Sequence, residues 1–265
     1  MLYKDKLNPI KKNTIERNPN GNFSPAEIAK FDQLAETWWD PDGKYKTALE
    51  FNRVRVEYFI EQICIHYDRD PNKFEPLQGL YILDVGCGGG LVCEPLAKAG
   101  ATVVGIDVSE MSVEVAKRHA LKSSLNIEYR HEHAQHTSIN DQHRYDVVIN
   151  AEVIEHVPNQ TDLVKQCAQL CKVEGCVIMA TLNRTIKSYF IGIVGAEYLM
   201  RYLPVGTHSW RSFVTPFELN RMASAAGLNF FTETGMAYSL FNKVWRTTDS
   251  LGVNYVQIYK RLALG

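Results

Sequence analysis

Three features of the sequence predict an α/β fold: a doubly wound, mostly parallel sheet with an N-terminal helical cap and an inserted apolar helical segment. Short apolar runs alternate with helical periods between Tyr81 and Leu182, the pattern of a parallel sheet covered on both faces. The first run ends in a glycine cluster, "LDVGCGGG". The second, "VVGIDVS", ends on an acidic residue, Asp107.

The elements follow in order. Residues 1–23 are charged and polar, without the apolar centre of a secretory signal, and read as a flexible leader before a domain at 24–265. Ser24 and Pro25 open a helix whose apolar face carries Ile28, Phe31, Leu34 and Ala35. The Trp38–Trp39 pair at its end reads first as packing, with a share in closing a binding site as the lesser alternative, and Pro41–Gly43 reads as a turn. A second helix, about Ala48–His66, completes a cap over 24–78. Strands are predicted at Tyr81–Val85, Thr102–Ile106, Ile127–Tyr129, Tyr145–Ile149 and Cys176–Leu182. Helices are predicted at Val92–Ala99, Ser112–Ser123 and Leu163–Cys171. "FVTPFELNRMASAAGLNFF" reads as a helix entering a strand, and the alternation at Tyr255–Tyr259 as a closing strand in an edge hairpin.

Composition narrows the function. The 265 residues are 45% hydrophobic and 22% charged with a formal net charge of −1, so no basic footprint points to nucleic acid. The six cysteines lie largely in apolar patterns, which suits a reducing, cytosolic compartment. Cys167, Cys171 and Cys176 read as a buried helix face followed by a strand rather than as metal ligands.

The glycine cluster carries the chemistry. A phosphate loop needs a Lys and a Ser/Thr after its last glycine, and neither is present. A dinucleotide loop needs G-x-G-x-x-G, but Leu91 stands where the third glycine belongs, so that reading is the runner-up. Gly86 and Gly88 let a ligand lie against bare backbone, and Asp84 can face an amino-bearing group. Asp107, about twenty residues on, can accept both hydrogen bonds of a ribose diol. S-adenosylmethionine, with an ammonium, a ribose and no phosphate, satisfies all three. The fourth strand then runs into "INAEVIEHVPN". As a helix this segment places Glu152, Glu155 and His156 together, as ligands for Mg2+ or another divalent cation or with His156 as general base.

"AKFDQLAETWWDPDGKYKTALEFNRVR", "LDVGCGGG", "AEVIEHVPN", "TLNRTIKSYFIGIVGAEYLMRYLPVGTH" and "VNYVQIYKR" resemble the ubiquinone-biosynthesis O-methyltransferases from about Ala26 to Arg261. The resemblance implies a Rossmann-like class I methyltransferase that uses S-adenosylmethionine. It implies methylation of ring hydroxyls on polyprenylated catechol or demethylubiquinol intermediates, and other enzymes of ubiquinone synthesis as partners. Matched residue by residue, Arg55, Gly86, Asp107 and Ala151 stand at the family's cofactor contacts, and Glu152, Glu155 and His156 at its proposed catalytic and metal triad. Arg53 stands where many relatives have Pro, which leaves the setting of Arg55 open; "NRTIKS" departs mildly. His208, in "GTHSW", is a secondary candidate for contact with the ring or as base, with a structural loop role as the alternative.

Substrates of that class are lipids. Lys187–Gly206, within an insertion at 187–212, is apolar but broken by Gly192, Gly195, Glu197 and Arg201. It cannot span comfortably, and is expected to serve as a lid and to lie at the membrane surface. The chain is accordingly expected in the cytoplasm, peripherally on the inner membrane.

Overall fold

The computed structural model describes residues 22–35, 38–40, 46–189, 210–239, 242 and 244–263. The leader up to residue 21, the turn at Pro41–Gly43, His208 and most of the Lys187–Gly206 segment lie outside these residues.

Two helices come first, α1 (Pro25–Leu34) and α2 (Lys46–His66). The sheet strands are β1 (Tyr81–Val85), β2 (Thr102–Asp107), β3 (Glu128–His131), β4 (Tyr145–Ala151), β5 (Cys171–Leu182), β6 (Leu228–Ser239), β7 (Val244–Thr248) and β8 (Asn254–Arg261). Between them run α3 (Cys93–Lys98), α4 (Glu110–Lys122), α5 (Ala134–Asn140), α6 (Gln160–Leu170), a single turn α7 (Ile186–Ser188) and α8 (Pro216–Ala225). Local chemistry sets several of these starts. Ser109 accepts from the Ser112 N–H to begin α4, Asn159 does the same for α6, and Thr215 with Glu218 forms a capping box ahead of Pro216 in α8.

The strands stand in the order β3-β2-β1-β4-β5-β8-β6-β7. The first five are parallel, while β8 is antiparallel to both β5 and β6. The chain runs outward from β1 to β3 and returns to β4 on the other side of β1. That reversal opens a crevice at the carboxyl ends of β1 and β4, where ligands of such sheets bind.

Alternation along each strand divides the core between two faces. Ile82, Val103, Val147 and Ile178 pack with Phe59 and Ile63 of α2, whereas Leu83, Val104, Val148 and Val177 pack with Leu163 of α6 and Leu219 of α8. All six cysteines are buried and free, Cys167 in α6 and Cys171 and Cys176 in β5, as their apolar settings predict.

The closing strand differs from expectation. The edge hairpin is β6–β7, and β8 inserts between β5 and β6 because both its faces are buried from Tyr255 to Tyr259. Also unpredicted are α5 and the early start of β5, whose pairing with β4 shifts register between Tyr145 and Val147. None of the described helices is long and apolar enough to cross a membrane.

Candidate active site

A cavity of about 330 Å³ fills the crevice, within the range of small-ligand sites. Its floor is the β1 end and the loop after it, its far wall the β2 end, and its roof the helices α1 and α2. Arg55, Asp84, Gly86, Gly88, Asp107 and Ala151 all line it. Six residues chosen from four separate stretches of sequence therefore converge on one space.

Gly86 and Gly88 have φ of +80° and +51°, the left-handed region that favours glycine. Gly86 also lies against the Val153 side chain, where a β-carbon would collide. Asp107 fixes the loop from β2: one carboxylate oxygen accepts from the Gly88 N–H at 2.9 Å and the other from the Ser109 N–H at 2.8 Å. Each oxygen retains acceptor capacity. Asp84 is buried, receives a hydrogen bond from the Cys93 thiol at 3.3 Å, and is pushed by that burial up to about 7. Helix α2 runs unbroken through Arg53, which pairs with Glu50 and Glu57 on the exposed face, so the substitution leaves Arg55 aimed inward. Arg55 is buried, donates to Glu152 at 3.0 Å and Asn52 at 2.8 Å, and keeps a buried Nε without a partner.

Beyond Ala151 the chain does not continue as a helix. Glu152 takes φ of +58°, a left-handed conformation that costs a non-glycine residue about 1–3 kcal/mol, and only Ile154–His156 form one 3-10 turn. The three side chains take different principal partners, although the Glu152 and Glu155 carboxyls remain in contact. Glu152 faces the cavity and Arg55. Glu155 points away from it, buried, accepting from the Thr181 hydroxyl at 2.8 Å. His156 lines the cavity with its Nδ1 2.9 Å from Glu27 of α1 and the Phe31 ring edge-on at 5.1 Å.

Burial pushes the Glu152 carboxyl upward, the neighbouring Glu155 charge adds to this, and Arg55 opposes it. Burial alone would depress His156, but the Glu27 hydrogen bond and the carboxylates of Glu155, Glu27 and Glu152 outweigh it and the shift is upward. Glu27 falls to about 2, chiefly through that same bond. At neutral pH Glu27 is thus an ionised acceptor, so Nδ1–H donates to it and Nε2 is the basic nitrogen.

A family model described as "Methyltransferase domain" matches residues 58–233. Ubiquinone biosynthesis O-methyltransferase from Bartonella bacilliformis is 41% identical over 237 residues, 89% of this chain and 95% of its own. Its counterpart in Brucella ovis is 42% identical over 238 residues, 90% and 96% of the two chains. The chain belongs to the ubiquinone biosynthesis O-methyltransferases. It is an S-adenosylmethionine-dependent O-methyltransferase of the class I, Rossmann-like fold. Among solved structures, magnesium protoporphyrin IX methyltransferase from Synechocystis with bound SAH aligns with a TM-score of 0.61 at 20% identity, over 88% of this chain and 94% of that one. A possible histamine N-methyltransferase from Thermotoga maritima gives 0.59 at 14% identity, over 89% and 99%. These two share the fold.

The metal reading finds no support in this arrangement. Glu152, Glu155 and His156 do not form a metal centre as they stand, because the turn sends them to Arg55, Thr181 and Glu27 respectively. Among the described residues no group of three His, Cys, Asp or Glu side chains could hold a metal ion. No site for Mg2+ or another divalent cation is assembled among the described residues, and no step below passes through one. Glu155 accepts from Thr181 of β5.

Two cavity residues are not singled out by the sequence alone. Glu27 lies 129 positions from its partner His156 on another element, and no local spacing could have paired them. His133, stacked on Phe23 at 5.6 Å, opens α5, a helix the reading did not find. Trp38 lines the cavity, the lesser of the two roles the sequence offered it.

Proposed function

We propose that this enzyme transfers the methyl of S-adenosylmethionine to a ring hydroxyl of a polyprenylated catechol or demethylubiquinol in ubiquinone biosynthesis. The supporting observation is the polarity of the cavity, with Asp107 and the glycine loop at one end and the Glu27–His156 pair at the other. In this reading the spare acceptor positions of Asp107 take the ribose diol. The unpartnered Nε of Arg55 takes the methionine carboxylate, and Asp84 faces the ammonium. Gly86, Gly88 and Ala151 offer backbone with little or no side chain in the way.

The cofactor supplies an electrophilic methyl on sulfur, and the residues supply the rest. A phenol with a pKa near ~10 is a weak nucleophile at neutral pH. His156 Nε2 removes its proton as the oxygen attacks the methyl in line, and neutral thioether departs. Glu27 holds the imidazole in its tautomer and stabilises the imidazolium that forms. Ile28, Phe31 and Phe51 line the apolar roof and keep water from the sulfonium.

The organisation is part of the proposal: a leader at 1–23, a cap at 24–78 and an insertion at 187–212. Ile186, Tyr189 and Trp210, the described flanks of that insertion, are exposed. Exposure of this kind suits lodging at a membrane surface, and so supports a cytoplasmic enzyme held peripherally at the inner membrane near its pathway partners. Liposome co-sedimentation checks this: the chain pellets with vesicles and a folded Lys187–Gly206 deletion does not. Equal pelleting of the two removes the membrane claim.

Asp84 gives a pH signature. Its raised pKa means that, in the free protein, the stability it carries is full below about pH 4 and is lost as pH rises through about 7. An ammonium prefers the ionised carboxylate, so cofactor affinity runs the other way. The affinity for S-adenosylhomocysteine should rise about tenfold per pH unit towards pH 7. Above about pH 7 the gain levels off, and once the ligand's own amine loses its proton the affinity falls. Calorimetry across this range checks the profile, and Asp84→Asn should flatten it.

The activity itself is tested by transfer of labelled methyl to a short-tailed demethylated quinol. Label should appear on the ring oxygen, and calorimetry should show binding of S-adenosylhomocysteine but not NADH. An unlabelled quinol in the presence of bound cofactor would refute the proposed substrate class.

A further inference from the structure

Behind the glycine loop, outside the reaction site, stands a buried carboxylate that the chemistry above does not use. Glu94 lies in the first turn of α3 with no solvent exposure. Burying a carboxylate is costly unless it is paired. One oxygen is bonded to His119 Nδ1 of α4; the other has no hydrogen-bond partner, with the Lys98 ammonium 3.7 Å away. The His119 ring in turn lies flat on the indole of Trp39, 3.5 Å between centroids and 5° from parallel. The Trp39 Nε1–H donates to the Gly89 carbonyl at 2.8 Å. Gly90 closes the circuit, since its carbonyl accepts from the Glu94 N–H at 3.1 Å.

The loop, α3, α4 and the chain after α1 are thereby joined in one ring of contacts. The neighbouring Trp38 lies where this ring sets it. A β-carbon on Gly88 would meet the Trp38 ring at 2.6 Å, and one on Gly89 at 2.5 Å. The indole therefore rests directly on the glycine loop while lining the cavity. On the opposite side the Gly88 N–H is held by Asp107. The loop is clamped between a carboxylate on β2 and an aromatic pair behind α1.

We infer that Trp39 is a cofactor-positioning residue, anchored by the Glu94–His119 pair, which holds the glycine loop and the Trp38 wall in the shape that receives the nucleoside. It acts through Gly89 and Trp38 rather than on the reacting atoms. The inference rests on the reading that S-adenosylmethionine occupies this cavity. It adds what fixes the cavity in a form ready for that ligand, since a loop ordered before binding loses less entropy when the ligand arrives.

Two conservative variants separate the links. Trp39→Phe keeps a ring for His119 to stack on but removes the N–H. His119→Gln keeps a donor for Glu94 but removes the ring. Calorimetry with S-adenosylhomocysteine on the full chain should show each raising Kd about three- to tenfold, the size of one lost hydrogen bond or stack. The double variant should lose little more than either single one, because both act through the same route. The KM for the quinol acceptor and the Tm should stay near wild type.

A wild-type Kd in Trp39→Phe would overturn the inference. So would a joint fall in Tm, cofactor affinity and acceptor affinity, the mark of a merely structural contact. Failure of the wild type to bind S-adenosylhomocysteine would instead sink the underlying assignment of the cavity, so the two failures are told apart.

Discussion

Replacing His156 with alanine should lower kcat by roughly two to four orders of magnitude, the usual contribution of a positioned general base. The Kd for S-adenosylhomocysteine should change by no more than about threefold, because the imidazole serves the acceptor end of the cavity. The physical reason is the Glu27 contact: an ionised carboxylate on Nδ1 leaves Nε2 as the proton acceptor. Glu27→Gln should therefore follow with a smaller loss in kcat, the side chain still bonding the ring but no longer stabilising its charge. Radiometric turnover and calorimetry on the same preparations check both. Equal loss of turnover and cofactor affinity in His156→Ala would show that the residue only supports the fold.

The largest expected effect on binding belongs to Asp107. Asp107→Asn retains size and one acceptor but replaces the other with an amide donor that faces the Ser109 N–H or the ribose. Hydrogen bonds to a charged group contribute about 1.5–3 kcal/mol each, so the Kd for S-adenosylhomocysteine should rise about tenfold to a hundredfold or more. Saturating cofactor should restore most of the turnover. Because Asp107 also holds the Gly88 N–H, its loss loosens the loop as well as removing a ligand contact. A Kd within about threefold of wild type would place the ribose elsewhere.

What was legible in the sequence depended on whether the cause was local. The strands β1, β2 and β4 are short, apolar and bounded by punctuation, and their ends deliver Asp84, Asp107 and Ala151 to one crevice. Glycines with positive φ mark the loop between them, and a β-carbon on Gly86 or Gly88 would also collide with Val153 or Trp38. The turn from Glu152 to His156 was misread because its helical spacing is real but its backbone is not helical. One left-handed residue sets the three side chains on different principal partners, so the expected metal triad is not assembled. Glu27 was invisible as a site residue, and Trp38 and Trp39 only a lesser alternative, for the opposite reason: each is set by contact with a distant element, to which periodicity is blind. The placement of β8 inside the sheet belongs to this class too, since pairing order is settled by which faces are buried.

The central claim is that one cavity holds the adenosyl group on the β2 side and presents its sulfur to the turn after β4. A crystal structure of the full chain with S-adenosylhomocysteine tests it directly. The account predicts both ribose hydroxyls on the Asp107 carboxylate, the methionine carboxylate on Arg55, and the sulfur facing Glu152 and His156. A nucleoside seated away from Asp107, or a sulfur turned from His156, would contradict it.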